Sequence, residues 1–348
     1  MNSAAEAGAR APRLDRCGAQ RTDEHLLTTV LAQDDTRVLV WSRHGMLVDT
    51  STPGQPRLVL HYGGPGVPQT VAGQLAIFLG RDENGHAWVA LAVDDAGDAA
   101  GDDTAEAASE AASSHLVWLG LRDVGFELPP IELDAFMTAQ ALASWHRTHV
   151  RCPRCGAPTV AVQAGWVRRC EVDGSEHYPR SDPAVIMAVI DDRERLLLAR
   201  SPAWPQNRRS VLAGFVEPGE RLEETVAREV AEEVGVTVHD VQYFGSQPWP
   251  FPASLMLGFT ARATDPTLHL DDAEIVAAEW YSRDQLRSAV DSGALGLPGR
   301  LSIARRLIEG WYGEPLVPPV ELPFHRPDAT TTTNTHQNTH PDKPSSGR

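Results

Sequence analysis

Four charged side chains close together give the first chemical lead: Arg228, Glu229, Glu232 and Glu233. They lie in residues 214–236, a stretch that opens as a Gly/Pro loop and continues as an amphipathic helical pattern ending at Gly235. Each helical residue advances about 100°, so the three glutamates fall within roughly one third of the circumference. Leu222, Val226 and Val230 form a neighbouring apolar stripe suited to burial against a sheet. Carboxylates packed this closely repel one another unless a cation sits between them, and Mg²⁺ prefers carboxylate oxygens together with substrate phosphates. The pattern therefore implies metal-assisted phosphate chemistry, in which the ion neutralises the phosphate and lowers the pKa of bound water. Arg228 is placed to orient the carboxylates through bidentate bonds. Gly214 and Gly219 let the loop backbone approach metal and phosphates closely. On composition alone the same helix also reads as a solvated acidic face. Glu220 has two readings of equal weight, a metal ligand or an ion pair with Arg228 that fixes the loop.

A second group of chemical residues is Cys152, Cys155 and Cys170, the first two in C-P-R-C-G. A C-x2-C knuckle turns two thiolates toward one tetrahedral centre, and a second C-x2-C is expected some fifteen to twenty residues on. Cys170 arrives on that schedule, but Asp173 stands where the fourth cysteine belongs. Asp173 or His177 could complete a structural zinc site, and a degenerate, empty ribbon is the alternative. Cys17 reads as an ordinary free thiol.

Downstream of the acidic helix, residues 246–256 read S-Q-P-W-P-F-P-A-S-L-M. Prolines at alternate positions stiffen an extended segment and limit its entropy loss on binding. Trp249 and Phe251 offer flat surfaces for a base or nicotinamide ring, and Gln247 and Ser254 offer hydrogen bonds. The plainer reading is a proline-rich loop with two core aromatics.

Residues 214–236 resemble the Nudix box, G-x5-E-x7-R-E-U-x-E-E-x-G-U. Gly214, Glu220, Arg228, Glu229, Val230, Glu232, Glu233, Gly235 and Val236 occupy all of its defined positions. The run at 246–254 is similar to the S-Q-P-W-P-F-P-x-S signature of the NADH pyrophosphatase branch. The resemblance extends over residues 119–310, through L-G-L-R at 119–122, the C-P-R-C-G knuckle, Y-P-R at 178–180 and A-R-R-L-I at 304–308. It implies a homodimeric, Mg²⁺- or Mn²⁺-dependent enzyme that cleaves NAD(H) at its pyrophosphate into NMN(H) and AMP and also removes NAD caps from RNA. Carried over by position, it assigns Glu229, Glu232, Glu233 and Arg228 to catalysis. Ala213 (through its carbonyl), Glu229, Glu233 and Glu274 form the metal set. Gln247, Pro248, Trp249, Pro250, Phe251, Pro252, Ala253, Ser254, Tyr178, Ala304 and Phe215 contact the substrate. The rival readings are a Nudix hydrolase of ADP-ribose or other nucleoside diphosphate derivatives, and a non-catalytic nucleotide- or RNA-binding protein.

The elements that must position these residues follow from length and patterning. A chain of 348 residues has room for more than one domain. No apolar run approaches the roughly 18 residues of a membrane span, and the N-terminus lacks the apolar centre of a signal peptide. The expectation is a cytoplasmic protein with no membrane partner. A formal charge of −16 argues against broad nucleic-acid binding without excluding a local basic site. Residues 1–20 are expected to be disordered, and 21–149 to form a β-rich domain with strands near 37–41, 57–61, 74–79, 87–92 and 116–119 and a helix over 133–149. Trp145 and His146 on that helix read as packing residues. An acidic insertion at 94–114 interrupts the domain, with seven Asp/Glu and no Lys or Arg. A zinc-ribbon-like segment (150–180), a Nudix domain (181–320) and a disordered tail (321–348) follow. The fold class is α+β, a Nudix fold of mixed sheet between helices preceded by the ribbon and the β-rich domain. Its strands are expected at 184–190, 195–200, 241–247, 255–263 and 277–281, with a closing helix at 300–312.

Overall fold

The computed structural model describes residues 13–67, 71, 73–93, 115–270 and 274–317. The insertion at 94–114, the tail at 321–348 and the head up to residue 12 lie outside the described residues. Within the described part, strand and helix periodicity builds two large sheets, each covered on both faces, and one small sheet between them in sequence.

The first sheet contains β1 (Arg37–Ser42), β2 (Gly45–Asp49), β3 (Arg57–Leu58), β4 (His61–Tyr62), β5 (Leu75–Arg81), β6 (Ala87–Ala92) and β7 (Leu116–Leu119). Its main path runs β3-β2-β1-β6-β5, with β4 on β1 and β7 on β2. Successive side chains point to opposite faces. Leu39, Trp41, Ile77 and Trp88 accordingly pack on Phe136, Ala139 and Leu142 of a long helix. Val38, Phe78, Val89 and Leu91 pack on Leu26, Val30 and Leu31 of the short helix α1 (Leu26–Leu31). After β7 come the single turn α2 (Leu121–Val124) and the long helix α3 (Pro130–Thr148). Pro130 opens α3, where its missing N–H costs nothing. Trp145 and His146 are buried, with His146 Nε2 2.8 Å from the Gly165 carbonyl oxygen, which makes them packing residues.

The head departs from expectation. The disorder expected through residue 20 does not hold for residues 13–20, because tertiary partners capture them. Leu14 is buried, its amide donates to Asp134, Arg16 pairs with Asp134 at 2.8 Å, and Asp15 bridges to Arg81. Strand β2 is absent from the expected set; its sequence, G-M-L-V-D, follows a tight turn and places Met46, Leu47 and Val48 in one apolar run without polar alternation.

A small three-stranded sheet, β8 (Thr159–Val162), β9 (Val167–Cys170) and β10 (Glu176–His177), carries the cysteines. The last sheet comprises β11 (Asp182–Ile190), β12 (Leu196–Arg200), β13 (Leu212–Phe215), β14 (Val238–Trp249), β15 (Ser254–Ala263) and β16 (Ala277–Tyr281). Its path is β14-β15-β11-β12-β16, with β13 on β11. Val185, Met187 and Val189 of β11 face α4 (Leu222–Val234). Ile186 and Ala188 face α5 (Arg283–Asp291) and α6 (Ile303–Tyr312). The mixed sheet between helices is thus present. Both large sheets share one device, a central strand with a parallel neighbour, β1 beside β6 and β11 beside β15. No helix among the described residues is long and apolar enough to cross a membrane.

Candidate active site

Helix α4 places the acidic residues. Its start is fixed by Glu224, which accepts from the Arg221 amide at 2.9 Å. Its end is fixed by Gly235 at φ +71°, where a side chain would also strike His269. Thr225, Val226, Glu229, Val230, Glu233 and Val234 are buried. Glu229 and Glu233, one turn apart, are therefore buried with the apolar stripe, whereas the Glu232 side chain is 60% exposed.

The loop before the helix is held by one arginine. Arg228 Nε meets Glu220 at 2.6 Å, Nη1 donates to Glu229 and Glu232, both at 2.9 Å, and Nη2 donates to the Phe215 carbonyl. Both Glu220 oxygens are engaged, and these bonds, Arg228 foremost, draw its carboxyl down to about 2. Of its two readings the geometry displays the ion pair. Gly214 on β13 faces this cluster: a Cβ there would come within 1.9 Å of the Glu229 carboxyl carbon. The glycine makes room for a carboxylate, a closer reason for its place than approach to phosphate.

Glu233 is a buried carboxyl among like charges. It is 8% exposed, and its Oε2 is buried with no hydrogen-bond partner. Burial, then the charges of Glu229, Glu274 and Glu232, push its carboxyl up to about 8. Burial likewise raises Glu229, against the pull of Arg228. A buried, unpartnered carboxylate oxygen beside a second raised carboxyl suits a bound divalent cation. Glu274 is exposed, yet close enough for its charge to act on both. Ala213 is exposed on β13 one residue before Gly214, and Phe215, 59% exposed, follows.

Among the described residues, one set of ligand atoms gathers within 4.8 Å: those of Cys152, Cys155, Cys170 and Asp173. Cys155 Sγ lies 3.5 Å from Cys170 Sγ, and Asp173 Oδ2 lies 3.8 Å from Cys152 Sγ. Zinc–sulfur bonds of about 2.3 Å in a tetrahedron give edges of about 3.8 Å, so the donor set fits the ion. Asp173 is pre-oriented by Ser175, whose hydroxyl and amide both donate to its Oδ1. His177, the other candidate, lies outside the gathered set and has its Nε2 3.1 Å from the Ser175 hydroxyl.

The proline-rich run is the end of a hairpin. β14 ends at Trp249, which pairs with Ser254 at the start of β15, and Pro250–Ala253 turn the chain. The extended segment expected here is present up to Trp249, and pairing of Trp249 with Ser254 turns the chain back over its last prolines. Trp249 and Phe251 meet edge to face at 5.0 Å.

Three family descriptions match the chain: a NUDIX domain over residues 180–297, an NADH pyrophosphatase zinc ribbon domain over 147–178, and an NADH pyrophosphatase-like rudimentary NUDIX domain over 35–145. The chain is 44% identical over 247 residues to the NAD-capped RNA hydrolase NudC of Mycobacterium bovis BCG Pasteur, covering 68% of this chain and 75% of that protein. It belongs to the NADH pyrophosphatase branch of the Nudix hydrolases. A mouse member, the mitochondrial NAD(P)H pyrophosphatase NUDT13, is 36% identical over 250 residues, covering 68% of this chain and 71% of that one. The crystal structure of a Nudix hydrolase from Nitrosomonas europaea superposes at a TM-score of 0.37 and 19% identity, over 47% of this chain and 94% of that one. Membership carries with it dependence on a divalent metal ion.

Within this Nudix hydrolase the residues expected at the substrate fall into two sets. Phe215, Tyr178, Pro248 and Pro252 are exposed, and Trp249, Phe251, Ala253 and Ser254 are half-buried. Gln247, Pro250 and Ala304 are buried, however, and Gln247 is committed within the fold. Its Nε2 donates to the Leu301 carbonyl and its Oε1 accepts from the Ile303 amide, both at 2.6 Å. The Ala304 amide donates to the Ser302 hydroxyl. Both residues thus order the first turn of α6. Two contacts were missed from sequence. Arg122 stacks on Phe251 at 4.0 Å, and Gln140 Nε2 donates to the Pro250 carbonyl at 3.0 Å. The L-G-L-R segment held Arg122 in view, but nothing local marks an arginine as the partner of an aromatic more than a hundred residues away.

Proposed function

We propose that this Nudix hydrolase cleaves the pyrophosphate bond of NAD(H) to NMN(H) and AMP and removes NAD caps from RNA. The observation that carries the reading is the buried Glu233 carboxylate, its Oε2 unpartnered, packed beside Glu229 on the box helix. The names of the bacterial and mouse relatives support the substrate, as does the Trp249–Phe251 hairpin.

Glu229 and Glu233, with Glu274 and the Ala213 carbonyl, would hold Mg²⁺ or Mn²⁺. A divalent ion there neutralises the diphosphate and makes an attacking water more acidic. Arg228 fixes Glu229 and steers Glu232 at the rim, so the carboxylates keep their geometry as substrate enters. Phe215, exposed beside the cluster, offers a stacking face for a ring. Trp249, Phe251, Ser254 and Tyr178 complete the substrate set, with Pro248, Pro250, Pro252 and Ala253 shaping the hairpin. Gln247 and Ala304 contribute by ordering α6.

Cys152, Cys155, Cys170 and Asp173 would hold one structural Zn²⁺ with no open position for chemistry. The reading includes a homodimer, from the family resemblance, and a cytoplasmic location, in keeping with four reduced cysteines. Separate incubations with Mg²⁺ and NADH, NAD⁺, ADP-ribose or an NAD-capped RNA test it. Turnover should favour the nicotinamide substrates; if NADH and NAD⁺ prove the poorest of the set, the proposal fails.

A further inference from the structure

The formal charge of −16 sets a problem for a substrate that carries an RNA chain. Capture needs cations grouped near the catalytic face, and the fold supplies such a group where the two large domains meet. A cleft of about 510 Å³ lies between the β1–β2 turn, α2, the C-terminal part of α3 and the tip of the β14–β15 hairpin. Its basic lining is Arg43, Arg122 and Arg147, with His44 beside them, and the carboxylate among the described lining residues is Asp123. Pro250, Phe251 and Pro252 of the hairpin form the wall toward the Nudix half.

The cations are held in place by aromatic and polar neighbours. Arg122 stands over both Phe251 and Trp249, at 4.0 and 5.6 Å from the ring centroids. Arg147 stands over Trp41 at 5.6 Å, and Arg43 Nε lies 3.4 Å from His44 Nε2. Asp123 already accepts the Gly120 amide at the start of α2. Arg208, nearly buried, sits within reach of Arg122: burial first, and then that neighbouring charge, draw its guanidinium below the usual range. Guanidiniums gathered around an aromatic pair form a surface for phosphate oxygens.

The sheet register fixes the distance from the chemistry. Ala213 pairs with Ile186, which pairs with Gly258; the hairpin closes at Ser254, four residues along β15. Two strand spacings across and four residues along put Ser254, where the tip closes, about 16 Å from Ala213. The RNA continues from the adenosine side of the pyrophosphate, so with the pyrophosphate at the metal cluster a gap of this size is left for the adenosine and the nucleotides after it to span. A single additional phosphate would engage one of these cations. Their spread over three elements suits a run of phosphodiesters.

We infer that the cleft lined by Arg43, His44, Arg122 and Arg147 binds the phosphodiester backbone of the RNA that follows the NAD cap. This rests on the cap-removal reading above. Arg43 and Arg147 stand apart from the aromatic hairpin and the metal cluster, so the double variant Arg43→Gln/Arg147→Gln tests the cleft. Hydrolysis of a short NAD-capped RNA, NADH and NADPH would be followed over a salt series. We expect kcat/KM on capped RNA to fall about tenfold while NADH and NADPH turnover stays at wild-type level, which also reports an intact fold. The logarithmic salt dependence on RNA should become shallower by about 0.7 for each phosphate contact removed. An equal loss on RNA and NADH, an unchanged RNA rate and salt slope, or a loss confined to NADPH each overturns the cleft assignment alone. A wild-type enzyme that hydrolyses NADH but leaves capped RNA intact overturns the cap-removal reading, and the cleft assignment with it.

Discussion

The sharpest consequence of the buried cluster concerns Glu233→Gln, and it is a statement about stability as well as activity. Glu233 titrates near 8 in the fold instead of near 4.5, pushed up by burial and by the charges of Glu229, Glu274 and Glu232. An acid whose folded pKa lies above its unfolded one binds more protons in the folded state. The metal-free wild type therefore loses stability as pH rises from about 4.5 to about 8. Each pH unit in that window costs about 1.4 kcal/mol, so the deficit reaches about 3 kcal/mol at pH 7. Glutamine has the shape of the protonated acid and no such deficit. Denaturant unfolding in chelator should find the variant and wild type close in stability near pH 5. By pH 7 the variant should lead by about 3 kcal/mol. Saturating metal narrows the gap: an ion at a hundred times its Kd adds about 2.7 kcal/mol to the wild type, and less to a variant missing a ligand. Turnover by the variant should drop by orders of magnitude. A stability difference that stays flat from pH 5 to pH 7 would refute the view of Glu233 as a buried, uncompensated acid. Wild-type turnover would remove it from the mechanism.

Other substitutions probe the rest of the arrangement. Gly214→Ala should displace the Glu229 carboxylate, which a Cβ would overlap at 1.9 Å; an ångström of misplacement costs about a hundredfold in rate, seen as lost kcat with little change in thermal midpoint. Asp173→Ala should lower bound zinc in freshly purified protein, while Asp173→Cys retains it; equal zinc in all three proteins would remove Asp173 from the site. Gln247→Ala leaves the buried Ile303 amide without its acceptor and should cost about 1–3 kcal/mol, read as a lower midpoint in thermal unfolding. An unchanged midpoint would return Gln247 to a substrate role.

The parts legible from sequence were those specified by local chemistry. The acidic helix, its glycine end and the strands at Ala87–Ala92, Leu116–Leu119 and Ala277–Tyr281 follow from periodicity and turn residues. Clustering of Glu229 with Glu233 follows from their one-turn spacing. What stayed hidden depended on partners far along the chain. Leu14 and Arg16 are ordered by Asp134, more than a hundred residues away. Gln247 is satisfied by Leu301 and Ile303, so its polar end, which reads as available for substrate, is spent on a helix start. Burial sorts Glu232 from its neighbours, a distinction the E-x-x-E-E spacing does not contain.

The β14–β15 tip carries a consequence for how the two halves can be separated. Phe251 packs against the first domain's core, Arg122 lies over its ring, and Gln140 holds the Pro250 carbonyl. The hairpin tip proposed to meet the dinucleotide is thus moulded by a domain with no box of its own. A truncated chain beginning at β11 would keep its carboxylates but present this tip without its mould. Such a fragment would be a generalist, able to break a diphosphate yet poorly informed about which one. On the proposed function, selectivity would then be a property of the junction, with the first domain, which carries no box, acting as its template.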